Sequence, residues 1–271
     1  MTYKTILVHC DANPKVSHRL GVAVALAQQH GAHVIGVHVR PPLMTPVFSD
    51  GSVPTEALFT AYETAAKGNE AQASAAFGAA IKAAKLSTEW RVVEGLAEEV
   101  LASQSRYADL LVLGQTDPDD AASLEPESVV LSSGRPALMV PHVGVTGEIG
   151  QTVLLCWNAS RESARAATDA LPLLRQAKTV MVLTIESEAG SDAGGADAAA
   201  WLARHGVKAT VQRDIAPDVD VGGVILSRAA DRSVDLIVMG LYGHSRLREM
   251  VLGGASRTLL RSMTVPVLMA H

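Results

Sequence analysis

The chain has 271 residues, which is long for one hydrophobic core and sufficient for two of about 130 residues each. Hydrophobic residues make up 48% of the sequence but aromatic residues only 4%, so the cores must be built from Ala, Val, Leu and Ile. The net charge of −5 and the isoelectric point near 6.0 argue against a nucleic-acid-binding surface, which is ordinarily basic.

The apolar stretches predict neither a membrane span nor an export signal. Gln, His or a charged residue interrupts them every few residues, so no segment is apolar over the length of a bilayer. The first apolar run, residues 6–8, ends at His9 and is too short for the core of a signal peptide. We therefore expect a cytoplasmic protein. Two cysteines, Cys10 and Cys156, are too few for a disulfide framework and are interpreted as small buried hydrophobic residues.

Short runs rich in β-branched residues alternate with segments of helical length. Residues 19–29 form one such helix, because Leu20, Ala23, Val24 and Ala27 lie on one stripe. A longer Ala-rich helix is predicted at about residues 55–85. This alternation indicates βαβ units and a parallel sheet. The strands predicted in the first half are residues 5–8, 32–39, 90–93, 110–113 and 137–140.

The second half repeats the first. Asp-Leu-Leu-Val-Leu-Gly at residues 109–114 matches Asp-Leu-Ile-Val-Met-Gly at residues 235–240, and the Pro-Ala-Leu-Met that begins at Pro136 resembles the Pro-Val-Leu-Met that begins at Pro266. We place the junction in the glycine-containing residues 141–150 and the domains at residues 1–143 and 150–271. The strands predicted in the second repeat are residues 152–156, 180–185, 209–212, 236–239 and 267–269.

The loop after the fourth strand of repeat two carries the strongest site signal. Gly240 and Gly243 are separated by two residues, and nine residues then precede Gly253. Glycines at the start of a helix leave backbone N–H groups unobstructed, and such groups form a cradle for phosphate oxygens. We expect Gly243, Gly254, Ala255 and Ser256 to supply those groups.

This glycine spacing, with the strands around it, resembles the nucleotide loop of the ATP-binding universal stress proteins. The resemblance covers the chain twice and implies an α/β fold: two tandem Rossmann-like repeats of the adenine nucleotide alpha hydrolase-like kind, each a five-stranded parallel sheet flanked by helices. It also implies an adenine nucleotide ligand, ATP or a relative, with or without Mg²⁺. Two positions depart from the family: Gly254 stands where Ser or Thr is usual, and Asn158 where Asp is usual.

The end of the first strand of repeat two supplies the other half of the site. In an open parallel sheet the ligand lies at the carboxyl ends of the strands, at the switch in strand order. We expect the base to lie towards Asn158 and towards the second strand's end at Thr184 and Ile185. Ser160 is predicted to cap the following helix. Ser160 can cap the helix while Asn158 contacts the ligand, so the two roles can coexist on this turn.

Repeat one lacks the glycine loop. Asp117, Asp119 and Asp120 follow Gly114, and no further glycine appears before Gly134. Three acidic residues within four positions repel a triphosphate. Repeat one is therefore interpreted as a degenerate, structural half, and any nucleotide is expected in repeat two.

The sequence indicates a binding module rather than an enzyme, because no catalytic base, nucleophile or set of metal ligands is evident. We expect an adenine-nucleotide-binding stress-response module that acts through protein partners, which the sequence does not name. Two alternatives stay open: a scaffold in which neither half binds nucleotide, and a slow ATPase. The tandem repeats form an intramolecular pseudo-dimer, and further pairing into a homodimer is also open.

Overall fold

The computed structural model of the protein describes residues 2–42, 56–82, 84–116, 124–186, 194–215, 220–241 and 254–271. The first repeat alternates strands and helices as the sequence predicts. Its helix α1 ends at Gly31, whose φ of 63° is the left-handed conformation typical of a helix end. The elements of repeat one are β1 Thr5–His9, α1 Val16–His30, β2 His33–Arg40, α2 Glu56–Lys82, β3 Thr88–Glu94, α3 Ala97–Ser105, β4 Leu110–Gly114, α4 Pro126–Ser133 and β5 Ala137–Val140.

The second repeat follows the same order, with a one-turn helix added. The short helix α6 begins directly after α5, where Pro172 stands in its first turn. The elements are β6 Thr152–Cys156, α5 Arg161–Asp169, α6 Leu171–Leu174, β7 Thr179–Glu186, α7 Gly195–Arg204, β8 Ala209–Ile215, α8 Val221–Asp231, β9 Leu236–Gly240, α9 Ala255–Ser262 and β10 Val267–Ala270. Among the described residues, no helix has both the length and the apolar character needed to cross a membrane.

The ten strands form one continuous sheet in the order β3-β2-β1-β4-β5-β10-β9-β6-β7-β8. Within each repeat every pairing is parallel, and the strand order reverses direction between the first and fourth strands. The last strands β5 and β10 pair antiparallel, which joins the two halves. This hydrogen bonding merges the two expected five-stranded sheets into one.

Helices cover both faces of this sheet. Helices α1, α2, α5, α6 and α7 pack on one face, whose core holds Val8, Val112 and Val238. Helices α3, α4, α8 and α9 pack on the other face, against residues such as Leu7, Leu111 and Ile237. The alternation of side chains along each strand therefore sends successive residues into different cores.

Candidate functional site

The candidate site in repeat two lies where β6, β7 and β9 end. These strands are neighbours in the sheet, so their carboxyl ends meet at one edge. The first turn of α5 and the start of α9 lie at the same edge, on opposite faces of the sheet. Of the predicted residues, Asn158, Ser160, Thr184, Gly240 and Ala255 all lie at or next to these ends.

The turn after β6 is held by its own side chains. Asn158 Oδ1 accepts hydrogen bonds from the Ser160 backbone N–H, at 3.2 Å, and from the Ser160 hydroxyl, at 2.7 Å. Ser160 Oγ in turn accepts from the Ser163 N–H at 3.1 Å, which confirms the predicted helix cap. Between them, Ala159 has a φ of 57°, an uncommon conformation for a residue other than glycine. Asn158 is exposed, and these two bonds use only its Oδ1.

Two buried polar atoms near this edge have no hydrogen-bond partner in the described structure: Thr184 Oγ1 and Trp157 Nε1. Thr184 is fully buried, and leaving such a group unpaired costs about 1–3 kcal/mol. Both side chains lie near the start of α7. A Cβ on Gly195 would come within 3.0 Å of Thr184 Cγ2, and one on Gly194 would come within 3.9 Å of Trp157 Nε1. Unpaired groups of this kind in a native fold call for a ligand or water.

Thr184 and Ile185, predicted together, lie on opposite faces of the sheet. Thr184 is on the same face as α7, whereas Ile185 packs with the core beneath α8 and α9. The period of two along a strand makes this separation unavoidable. A single ligand group therefore contacts one of these side chains and not both.

Gly240 is the last residue of β9, and the first turn of α5 packs directly on it. A Cβ at this position would lie 2.6 Å from Glu162 C and from Ser163 N. Its lack of a side chain lets the helix approach the strand end closely.

The structure describes only some of the residues of the predicted phosphate cradle. Helix α9 begins at Ala255 after Gly254, which provides no side-chain cap, and Ser256 is buried. The first N–H groups of such a helix have no partner within the helix. Gly243 and Gly253 lie outside the described residues.

The cysteines carry no sign of nucleophilic chemistry. Burial raises the pKa of Cys10 to about 12, and it raises the pKa of Cys156 likewise to about 12. The thiolate is the reactive form, so both thiols are inert at neutral pH. In the described part of the chain, no group of three or more His, Cys, Asp or Glu residues could hold a metal ion.

Repeat one contains a feature that sequence reasoning missed: a cavity of about 490 Å³ at the ends of β1, β2, β4 and β5. His9 and Arg19, which are 7% and 6% exposed, line it. Burial, then Arg19 and His38, lower the pKa of His9 to about 4 in spite of Asp11, so its ring is neutral at pH 7. The sequence feature that could have indicated this cavity was the presence of the polar residues His9 and His38 near strand ends. Arg19 gave no such indication, because an arginine on a surface helix is ordinarily exposed to solvent.

Two doubly wound α/β units, joined edge to edge and each with its switch point at the first and fourth strands, define a tandem Rossmann-like protein. The family model of the universal stress protein family matches the chain twice, at residues 2–132 and 150–271. The chain belongs to the universal stress protein family.

Known relatives agree with this assignment. The crystal structure of a universal stress protein from Archaeoglobus fulgidus has a TM-score of 0.76 and 15% identity, covering 98% of this chain and 95% of that one. A putative universal stress protein from Pseudomonas aeruginosa has a TM-score of 0.57 and 14% identity, with 99% and 93% covered. Universal stress protein Slr1230 of Synechocystis is 45% identical over 38 residues, 14% of this chain and 13% of that protein. The solved structures show the fold.

Proposed function

We propose that repeat two binds an adenine nucleotide such as ATP, and that the bound state regulates contacts with partner proteins in a cytoplasmic stress response. The observation that carries this proposal is the pair of buried, unpartnered polar atoms Thr184 Oγ1 and Trp157 Nε1, at the strand ends where the sequence places the base. A base offers both hydrogen-bond donors and acceptors, which these two groups require.

The phosphates are assigned to the other face of the same edge. The N–H groups at the start of α9, at Ala255 and Ser256, favour an anion because the helix end carries partial positive charge. That charge contributes only about 0.3–1 kcal/mol, so several N–H bonds must act together. Gly243, Gly253 and Gly254 complete the cradle in this proposal. No lysine is required.

Other residues of repeat two contact the ligand or position the helix beside it. Asn158 has its Oδ1 engaged by Ser160, so its amide N–H groups are the ones available to a ribose or base acceptor. Any Mg²⁺ would be held mainly by the phosphates and water, as this ion prefers. Gly240 and Ser160 fix the position of α5 beside the ligand rather than contacting it.

The proposal is tested first by mass spectrometry of the small molecules released when freshly purified protein is denatured. We expect an adenine nucleotide. Titration of ATP against Thr184→Val should then show at least a tenfold loss of affinity, about 1.4 kcal/mol, because valine keeps the shape and removes the hydroxyl. Thr168→Val is the matched control, since the exposed Thr168 hydroxyl bonds only within its own helix, to Ala164 O.

Two results would replace the proposal. Absence of nucleotide in the released fraction, with no heat of ATP binding, would leave the scaffold role. Phosphate release that exceeds the background of a Gly243→Asp variant would instead establish a slow ATPase.

A further inference from the structure

The cavity in repeat one is built from both faces of the sheet. Strand ends contribute His9, His38 and Arg40, and helix α2 closes the other side with Tyr62 and Asn69. Its volume of about 490 Å³ lies within the range of roughly 300–1,000 Å³ that small-molecule sites occupy. It is therefore large enough for a metabolite.

Polar atoms without partners are concentrated around this cavity. Seven buried side-chain nitrogen and oxygen atoms of the described residues have no hydrogen-bond partner, and three of them belong to lining residues: His9 Nδ1, His18 Nδ1 and Arg40 Nε. Leaving a buried polar group unpaired destabilises the folded state. A ligand that pairs with all three would recover this cost.

The charged lining side chains are held in place by carboxylates. Arg19 donates to the His9 carbonyl at 3.2 Å and to Asp11 Oδ1 at 2.5 Å. Arg40 donates from Nη2 to Glu70 Oε2 at 2.6 Å, which leaves its Nε–H for another acceptor. A guanidinium fixed in this manner is a preorganised donor for a carboxylate or phosphate oxygen.

The histidines add acceptors. His38 Nδ1 donates to the Cys10 carbonyl at 2.8 Å, which leaves Nε2 as the ring nitrogen that can face a ligand. His142 Nε2 donates to the Thr116 carbonyl at 2.9 Å, which makes its Nδ1 the acceptor. Acceptors of this kind suit ligand hydroxyl groups.

We propose that this cavity is a second ligand site, for a small hydroxylated organic anion with one carboxylate or phosphate group. Arg40 binds the anionic group, and the imidazoles of His9, His18 and His38 bind the hydroxyls. The site is independent of the nucleotide proposed for repeat two.

Repeat one differs from repeat two in a way that disfavours a nucleotide here. A Cβ on Gly114 would lie 2.6 Å from Arg19 Nη1, so in repeat one the Arg19 guanidinium covers the end of β4. In repeat two the equivalent strand end, at Gly240, is covered by the backbone of α5. The sequence after Thr116 carries three aspartates and no phosphate-binding glycines. Both features suit a compact anion better than a triphosphate chain.

The test titrates the full protein with glycerol 3-phosphate, glycerate and glycerol, which share a three-carbon skeleton and differ in the charged group. The ring nitrogens of His9 and His18 are followed by NMR. We expect saturable shifts with one of the two anions and none with glycerol. Arg40→Gln should weaken that binding at least tenfold. Arg91→Gln is the matched control, because Arg91 also pairs with a carboxylate, Glu89, on the same repeat but outside the cavity.

Comparing glycerol 3-phosphate with glycerate shows whether the site binds a phosphate or a carboxylate. Shifts from neither anion, or binding that Arg40→Gln leaves unchanged, would overturn the proposal and leave a water-filled cavity. Displacement of the bound anion by adenosine would also overturn it, by making repeat one a nucleoside site. None of these results depends on how Thr184→Val changes the affinity for ATP, so each proposal can be refuted without the other.

Discussion

Leu138 and Leu268 occupy equivalent positions in the two repeats and pair with each other across the junction. Each is the second residue of its strand, each is fully buried, and the antiparallel register places them opposite one another. A local twofold relation between the repeats follows, centred on this pair. The apolar core that contains both leucines runs from one repeat into the other.

The junction should therefore govern the stability of the whole chain. Leu138→Ala should lower the free energy of unfolding by about 2–5 kcal/mol, the usual cost of a buried Leu→Ala change. Val143→Ala, at a side chain that is 72% exposed, is the control and should change it by less than about 0.5 kcal/mol. Urea denaturation should show one transition. Two separate transitions, with Leu138→Ala affecting one of them, would contradict a shared core.

Asp109 and Asp235 should each stabilise their own repeat. Asp109 Oδ2 accepts from the N–H groups of Lys4 and Thr5, at 2.7 and 3.0 Å. Asp235 accepts from Gly150, Gln151 and Thr152, at 2.7–3.0 Å. Asp235→Ala should destabilise the protein by about 1.5–3 kcal/mol, and Asp109→Ala by less, because it frees fewer N–H groups. Equal unfolding free energies for wild type and Asp235→Ala would refute this role.

The alternation of strands and helices was predictable because the apolar periodicities of this chain are clear, and the internal match between residues 109–114 and 235–240 identified the repeat. The edge strands were underestimated. β3 and β8 each span seven residues where four were predicted, because edge strands expose polar residues on one side and lack a continuous apolar run.

Gly240 and Gly114 should respond differently to a methyl group. At Gly240 the added Cβ meets α5 backbone, which cannot move alone, whereas at Gly114 it meets the end of the Arg19 side chain. Gly240→Ala should cost about 1–3 kcal/mol and Gly114→Ala less. Thermal unfolding of the two variants side by side measures the difference, and a larger loss for Gly114→Ala would show that Arg19 is the more rigid neighbour.

His9 should make the protein less stable in mild acid. Its pKa is lowered to about 4 by burial, then by Arg19 and His38, while the unfolded chain takes up the proton near pH 6.5. Between these values the unfolded state binds more protons, so stability falls as the pH drops from about 6.5 to 4, by on the order of 3 kcal/mol. His9→Gln should flatten this part of the curve of unfolding free energy against pH. An unchanged slope would assign the pH dependence to other groups.

The candidate site was predictable in position but not in all its members. Strand-end reasoning placed Asn158, Ser160 and Thr184 correctly at one edge, because parallel strands end together. Trp157 was missed, since an unpaired buried atom is a property of packing and leaves no trace in residue spacing. Thr184 and Ile185 both lie near the end of β7, but the alternation of faces along a strand separates their side chains.

The central claim is that nucleotide binds in repeat two, and calorimetric titration of ATP into the wild-type protein and Gly253→Val tests it most directly. We expect one site per chain in the wild type and at least tenfold weaker binding in the variant, since a Cβ blocks the backbone's approach to phosphate. No binding, two sites per chain, or equal affinity of the two proteins would contradict the claim.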